Sequence, residues 1–280
     1  IHAAARAEKP SAVVIGEVWE DGSTKIAYGV RRKHILGGHC DGLMNYPFRT
    51  AALNFLLGQG AEQFVAAMET LRENYPPSAF FSAMNSLGTH DTPRALTLLA
   101  LGSPCTDQSR QWRADFRLNG EQRRRGVDLL KVGSALLFCF PGSPTVYYGD
   151  EAGMEGFEDP FNRRTYPWGQ EDKELLDWYA ALGRLRREHQ ALQIGSIEYL
   201  FDSRDLLVFS RRDGQETVLC ACNAGEQPQI CLLDFPATPL LGDSTVEPRE
   251  EGYALTLPPR SAAVLLRSET PCAPTGATAD

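Results

Sequence analysis

The stretch VVIGEVW, Val13 to Trp19, places one carboxylate directly after a run of apolar, largely β-branched residues. With Ala12, this run predicts a short strand buried on both faces, as in a parallel sheet. An unpaired ionised Glu is costly to bury, so Glu17 is expected where the strand ends and water begins. Active-site residues of parallel β/α folds gather at these strand ends. We therefore expect a partly buried Glu17 at the edge of a cleft.

Strand-like and helix-like segments alternate over the first two-thirds of the chain. Residues 1–9 are helical in composition and stop at Pro10. Further strands are predicted near 42–44, over 80–87 and over 144–148. Helices are predicted around 64–71, from a Thr92 N-cap with Pro93 in the first turn to about 101, within 118–140, and over 173–189. This alternation predicts parallel β/α architecture.

The pattern changes near residue 192. Four strand-like segments, beginning at Ile197, Leu206, Thr217 and Ala262, are separated by turn residues, which is typical of a small antiparallel β domain. The sequence thus predicts an α/β fold in three parts. Residues 1–190 form a β/α domain, residues 191–269 form an all-β domain, and residues 270–280 form a tail whose composition predicts disorder.

Composition restricts the partners and the compartment. The chain has 280 residues, a net charge of -8 and a sequence pI near 5.3, so it lacks the basic surface of a nucleic-acid-binding protein. No run reaches the ~20 apolar residues of a membrane span. Seven scattered Cys without a paired framework indicate free thiols and a cytoplasmic location, with Cys220 and Cys222 on one strand face. No CxxC or His pair indicates zinc, so neither a metal nor a cofactor is predicted.

The first residues, IHAAARA, contain no initiator Met and resemble the middle of a helix. We expect the chain to begin inside a longer protein. The lack of a signal peptide at Ile1 therefore says little about secretion.

Three predicted strands end in polar clusters, at residues 17–19, 88–91 and 149–151. Each cluster alone is compatible with a structural role. Glu17 can form a surface salt bridge, and a His-Asp pair before a helix can cap it. Together, the strand-end carboxylates, an imidazole and flanking aromatic rings favour a carbohydrate cleft, where carboxylates transfer protons and rings stack on sugars.

Several motifs resemble the α-amylase family, glycoside hydrolase family 13. VIGEVW (14–19) resembles its general-acid strand, MNSLGTHDTPR (84–94) the motif that supplies a His-Asp pair, and FPGSPTVYYGDE (140–151) its eighth-strand motif. GMEGFEDPFNRR (153–164) and DGLMNYPFR (41–49) are similar to the neopullulanase, cyclomaltodextrinase and maltogenic amylase branch. The resemblance covers residues 10 to 190 in motif order. It implies the C-terminal half of a (β/α)8 TIM barrel, strands five to eight, followed by an antiparallel β-sandwich domain.

The resemblance also implies roles for individual residues. Glu17 corresponds to the general acid/base, Asp91 to the carboxylate that grips sugar hydroxyls, and His90 to a hydrogen-bond donor to the same ring. It implies no cofactor, and it implies an α-glucan oligosaccharide as partner. Asp159 and Arg163 resemble a pair that binds the next glucose. Trp19 and Tyr46 are candidates for lining the cleft, and core packing explains them equally well.

The family's nucleophile has no counterpart in the chain. A retaining glycosidase needs a second carboxylate about 5–5.5 Å from the acid. In this family the nucleophile is an Asp on the strand before the Glu strand, and the only upstream carboxylate here is that of Glu8, in a predicted helix. We therefore expect no turnover by this chain alone. The open edges of half a barrel also predict a homodimer or association with the missing N-terminal half.

Several alternatives stay open at this point. The chain is also compatible with a non-catalytic carbohydrate-binding or scaffold relative of the same fold. A phosphate-binding α/β protein is less favoured, because Gly37-Gly38 and the turn at Gly142 do not form a glycine-rich phosphate loop. The sequence does not distinguish among maltodextrins, cyclodextrins and pullulan as substrates, or between α-1,4 and α-1,6 bonds. It also does not distinguish hydrolysis from transglycosylation.

Overall fold

Four short parallel strands lie side by side in chain order. The computed structural model describes residues 1–37, 39–214 and 216–268. Strand β1 (Ile15–Gly16) pairs in parallel with β4 (Gly42–Leu43), and β5 (Met84–Ser86) pairs in parallel with β6 (Ser143–Thr145). A parallel bridge from Met44 to Met84 joins the two pairs. This succession confirms the predicted second half of a β/α barrel.

One hairpin and several helices fill the connections between these strands, and further helices precede β1 and follow β6. The hairpin, β2 (Ile26–Ala27) and β3 (Val30–Arg31), lies between β1 and β4. The helices are α1 (His2–Glu8), α2 (Tyr46–Leu56), α3 (Ala61–Asn74), α4 (Pro77–Phe81), α5 (Ala95–Leu101), α6 (Arg110–Asp115), α7 (Gly120–Cys139), α8 (Lys173–Glu188) and α9 (Gln190–Ile194). Asn119 begins α7 with a reciprocal capping box, and Gly102 ends α5 in the left-handed region.

Two local predictions were wrong. Pro76 and Pro77 begin the short helix α4, which contains Phe80 and Phe81, so only residues 84–86 of the predicted 80–87 strand are extended. Helix α5 begins at Ala95, three residues after Thr92. The Thr92 hydroxyl instead accepts a hydrogen bond from the Thr89 amide at 3.0 Å, which holds this segment as a turn.

The first predicted strand is also shorter and more exposed than expected. Only Ile15 and Gly16 enter the ladder, and 68% of Val13 and 38% of Ile15 are exposed. Among the described residues, β1 has a neighbour on one side only, β4. The sequence pattern predicts a strand inside a sheet, whereas β1 is paired along one edge only in the described part of the chain.

The all-β part consists of two antiparallel sheets with eight strands among the described residues. Their bounds are β7 (Ser196–Asp202), β8 (Leu206–Asp213), β9 (Glu216–Asn223), β10 (Gln229–Leu233), β11 (Ala237–Leu241), β12 (Thr245–Pro248), β13 (Tyr253–Leu257) and β14 (Ser261–Arg267). The five-stranded sheet has the order β11-β14-β9-β8-β7, and the three-stranded sheet has the order β10-β13-β12. The two sheets form the expected sandwich, and the predicted tail, 270–280, lies outside the described residues.

The five-stranded sheet is buried on both faces. Alternate residues such as Phe209 and Cys220 pack against the helices of the half barrel, whereas Val208 and Leu219 pack against the smaller sheet. Cys220 and Cys222 do share one face, with their sulfurs 3.7 Å apart. One face of the five-stranded sheet thus shares a core with the half barrel, and its other face shares a second core with the smaller sheet. No helix in the described residues has both the length and the apolar character to cross a membrane.

Candidate active site

Glu17 lies immediately after β1, at the carboxyl end of the parallel strands. Its Oε1 accepts a hydrogen bond of 2.9 Å from the hydroxyl of Tyr46, the first residue of α2. Burial raises the pKa of the Tyr46 phenol, so this hydroxyl stays protonated and donates at neutral pH. The ring of Trp19 stacks on Tyr46, with the centroids 4.0 Å apart, and about half of Trp19 is exposed.

The expected partial burial of Glu17 was wrong, because its side chain is exposed. Tyr46 contacts it from the β4 side, where a neighbouring strand exists. On the other side of β1 the described residues provide no strand. Glu17 therefore faces solvent across a surface that a further strand would line.

His90 and Asp91 follow β5 and lie beside Glu17. One ring nitrogen of His90 and one carboxylate oxygen each of Glu17 and Asp91 all lie within 4.8 Å of one another. His90 Nε2 is 3.2 Å from Asp91 Oδ2, and Arg163 Nη2 is 3.1 Å from Asp91 Oδ1. Arg163 Nε is 3.1 Å from Asp159 Oδ1. The structure thus brings together all seven residues that the sequence placed in the cleft: Glu17, Trp19, Tyr46, His90, Asp91, Asp159 and Arg163.

Asn162 holds the segment that carries His90 and Asp91, a role that no sequence pattern indicates. Its side chain is fully buried, and its Nδ2 donates to the carbonyl oxygens of His90, at 2.7 Å, and Thr92, at 2.8 Å. Arg163 Nε adds a third contact of 3.1 Å to the His90 carbonyl. Two consecutive residues of the loop after β6 therefore fix the loop after β5.

A buried ion pair lies beneath the cleft. Arg94 and Asp150 are almost completely inaccessible to solvent, with Nη1 and Oδ1 3.3 Å apart. Desolvation raises the pKa of Asp150 to about 6, although the neighbouring Arg94 acts in the opposite direction. A Cβ on Gly88 would lie 2.5 Å from Asp150 Oδ2, so the backbone before His90 approaches this carboxylate closely. Asp150 thus has a structural role beneath the backbone that carries His90. By sequence alone, it is grouped with the polar residues at the strand ends.

The carboxyl ends of these parallel strands bring together two carboxylates, an imidazole and an exposed aromatic ring. This arrangement is typical of the active-site face of a β/α-barrel glycosidase. Comparison with known families agrees with this class. Residues 1–177 match the alpha amylase catalytic domain, and residues 200–264 match the maltogenic amylase C-terminal domain. The chain belongs to the α-amylase family.

Individual relatives are similar over most of the chain. The amylopullulanase of Thermoanaerobacter thermohydrosulfuricus is 34% identical over 80% of this chain and 16% of its own length. The cyclomaltodextrinase of Geobacillus thermopakistaniensis is 32% identical over 80% of this chain and 34% of its own length. The crystal structure of an Anoxybacillus alpha-amylase superposes with a TM-score of 0.76 at 28% identity, covering 94% of this chain and 54% of that one. The chain therefore spans about half of this solved relative and a smaller share of the two curated ones.

Proposed function

We propose that this chain carries the acid/base side of the active site of a retaining α-glucan hydrolase. The observation that carries the proposal is the convergence of Glu17, His90 and Asp91, from two different strand ends, to within 4.8 Å. The names of the similar relatives, amylopullulanase and cyclomaltodextrinase, support an α-glucan oligosaccharide as the substrate class.

Glu17 is the proposed general acid/base. Tyr46 occupies Oε1, which orients the carboxyl group and leaves Oε2 for proton transfer. In the acid form Glu17 protonates the glycosidic oxygen as the bond breaks, and as a carboxylate it later removes a proton from the attacking water. A sugar seated in the cleft would also displace water from this exposed side chain.

Asp91, His90 and the Asp159–Arg163 pair are the proposed sugar-binding groups. Arg163 lies between the two aspartates and holds Asp91 in place as an acceptor for sugar hydroxyls. His90 offers a ring N–H to the same sugar, and the Asp159–Arg163 pair reaches the adjacent glucose. The free face of Trp19 is available to stack on a sugar ring.

We further propose that the catalytic nucleophile is not among these 280 residues. Asp91 lies near enough to Glu17 to be considered, but its two carboxylate oxygens face Arg163 and His90. Ahead of β1, the only side-chain carboxylate is that of Glu8, in α1. The chain alone is therefore expected to lack glycosidase turnover.

An assay of the purified chain on a chromogenic maltooligosaccharide tests this proposal. The expected rate equals that of the buffer. A rate above background that disappears in Glu17→Gln would refute the absence of a nucleophile. Glu17→Gln is a matched change, since the amide oxygen still accepts the hydrogen bond from Tyr46.

The outer strands of the half barrel support a proposal about association. Within the described residues, β1 pairs only with β4, and β6 pairs only with β5, so each has an unpaired edge. Val13, Ile15, Val146 and Tyr148 are exposed beside these edges. Unpaired edges with apolar flanks favour pairing with another chain, either a second copy or the first half of the barrel. Light scattering that shows only monomer at high concentration would contradict this proposal.

We also place the protein in the cytoplasm. Six cysteines in the described residues are free, and four of these are buried, which is typical of proteins kept in a reducing compartment. Detection of the protein in the periplasmic or culture fraction of its host would contradict this location.

A further inference from the structure

We propose that Glu17, His90 and Asp91 also form a Zn²⁺ site, through which this cation inhibits the enzyme. The inhibition rests on the proposed function, whereas the metal site itself does not. The sequence indicated no metal site, because the three ligands are contributed by segments 73 residues apart, outside any known spacing motif. Only the fold brings them together.

The distances between the ligand atoms fit a tetrahedral ion. Bonds of about 2.0–2.2 Å to nitrogen and oxygen place neighbouring tetrahedral ligands roughly 3.3 Å apart. His90 Nε2 and Asp91 Oδ2 are already 3.2 Å apart, and the carboxylate of Glu17 lies within 4.8 Å of both. All three side chains are exposed, so Glu17 has room to move closer by a change of side-chain torsion. Three protein ligands leave the fourth position to water.

Neighbouring residues orient the ligands from outside. Tyr46 holds one oxygen of Glu17 and Arg163 holds one oxygen of Asp91, which leaves the second oxygen of each for the ion. Outer hydrogen bonds of this kind typically change metal affinity 10–100-fold. Asn162 fixes the backbone that carries His90. The site is thus held in place by residues that are not ligands themselves.

Charge and ligand chemistry favour zinc over the hard divalent cations. Two carboxylates and a neutral imidazole supply two negative charges, and Asp159 offsets the positive charge of Arg163. Ca²⁺ and Mg²⁺ prefer a full set of oxygen ligands, whereas imidazole nitrogen suits Zn²⁺. A metal-bound Glu17 must be deprotonated, so it has no proton to give to a leaving group. Bound zinc would also fill the space that the sugar needs.

Calorimetric titration of the purified chain with ZnCl₂ tests the metal site without requiring catalysis. We expect one site that is weakened about tenfold or more in His90→Gln and in Glu17→Gln. His34→Gln is the matched control, since His34 and His39 are two neighbouring imidazoles outside the proposed site, with ring centroids 6.2 Å apart. CaCl₂ and MgCl₂ are expected to give no comparable heat.

Either of two results would overturn the proposal: no zinc binding by the chain, or binding that is unchanged in both His90→Gln and Glu17→Gln, whatever the result for His34→Gln. Thermal melts of the variants separate loss of the site from loss of the fold, because exposed side chains contribute little to stability. Zinc binding by the chain, together with no glycosidase activity in a polypeptide extended by the residues encoded ahead of Ile1, would leave the metal site standing and refute the proposed function, so the two failures are distinguishable.

Discussion

Asn162→Ala should destabilise the protein strongly for an uncharged side chain. The amide donates two short hydrogen bonds, of 2.7 Å to the His90 carbonyl and 2.8 Å to the Thr92 carbonyl, from a fully buried position. Each such bond contributes about 0.5–1.5 kcal/mol, and a buried acceptor left without a partner costs more. We expect the free energy of unfolding to fall by about 2–3 kcal/mol, with the larger share from the buried Thr92 carbonyl, since Arg163 still donates to the His90 carbonyl.

Urea denaturation of the wild type and the variant measures this loss. Asn74→Ala is the matched control, because Asn74 also donates one side-chain hydrogen bond, to Asp21 at 2.7 Å, but on the surface. The control should change stability by less than about 0.5 kcal/mol. Equal losses in Asn162→Ala and Asn74→Ala would refute the reasoning that Asn162 holds the loop carrying His90 and Asp91.

Two further changes test the support beneath the cleft, and a third tests the contact between the half barrel and the sandwich. Because burial raises the folded-state pKa of Asp150 from 3.8 to about 6, stability that is present below pH 4 is lost as the pH rises through 6. Asp150→Asn should therefore flatten this part of the pH profile in urea melts, although it leaves Arg94 without its charge partner. Gly88→Ala should cost about 1–3 kcal/mol in the same melts, since the new Cβ would meet Asp150. Arg211→Met should cost at least about 2 kcal/mol in thermal melts, because this buried guanidinium donates to the carbonyl oxygens of three residues, Cys139, Leu192 and Gly195.

The parallel half barrel and the residues of its cleft were predictable from sequence for a simple reason. Strand runs such as residues 13–16 end abruptly in polar residues, and the strands of a parallel sheet end at the same edge. Once the order of the strands is known, Glu17 and the His90-Asp91 pair must lie on one face. Their distances confirm this placement, while their chemical roles remain predictions.

The exposure of Glu17 and several strand positions were not predictable, because they depend on partners distant in the chain. The exposure of Glu17 depends on which strands flank β1. Strand β10 lacks a clear signal because Ile230 and Leu232 point to solvent and reverse the usual pattern. Asn162 occurs in a polar loop, and nothing local shows that its amide is buried against another loop.

The most direct test of the central claim is the hydrolysis rate of a longer polypeptide, extended by the residues encoded ahead of Ile1. We predict that this segment contains an Asp-bearing strand and that the extended protein cleaves maltooligosaccharides. Glu17→Gln should then lower kcat by about 10²–10⁴-fold, the usual contribution of a positioned acid. Glu20→Gln, at an exposed residue that pairs with Lys25, should leave kcat unchanged. Equal activity of the Glu17→Gln and Glu20→Gln proteins would contradict the claim that Glu17 is the general acid.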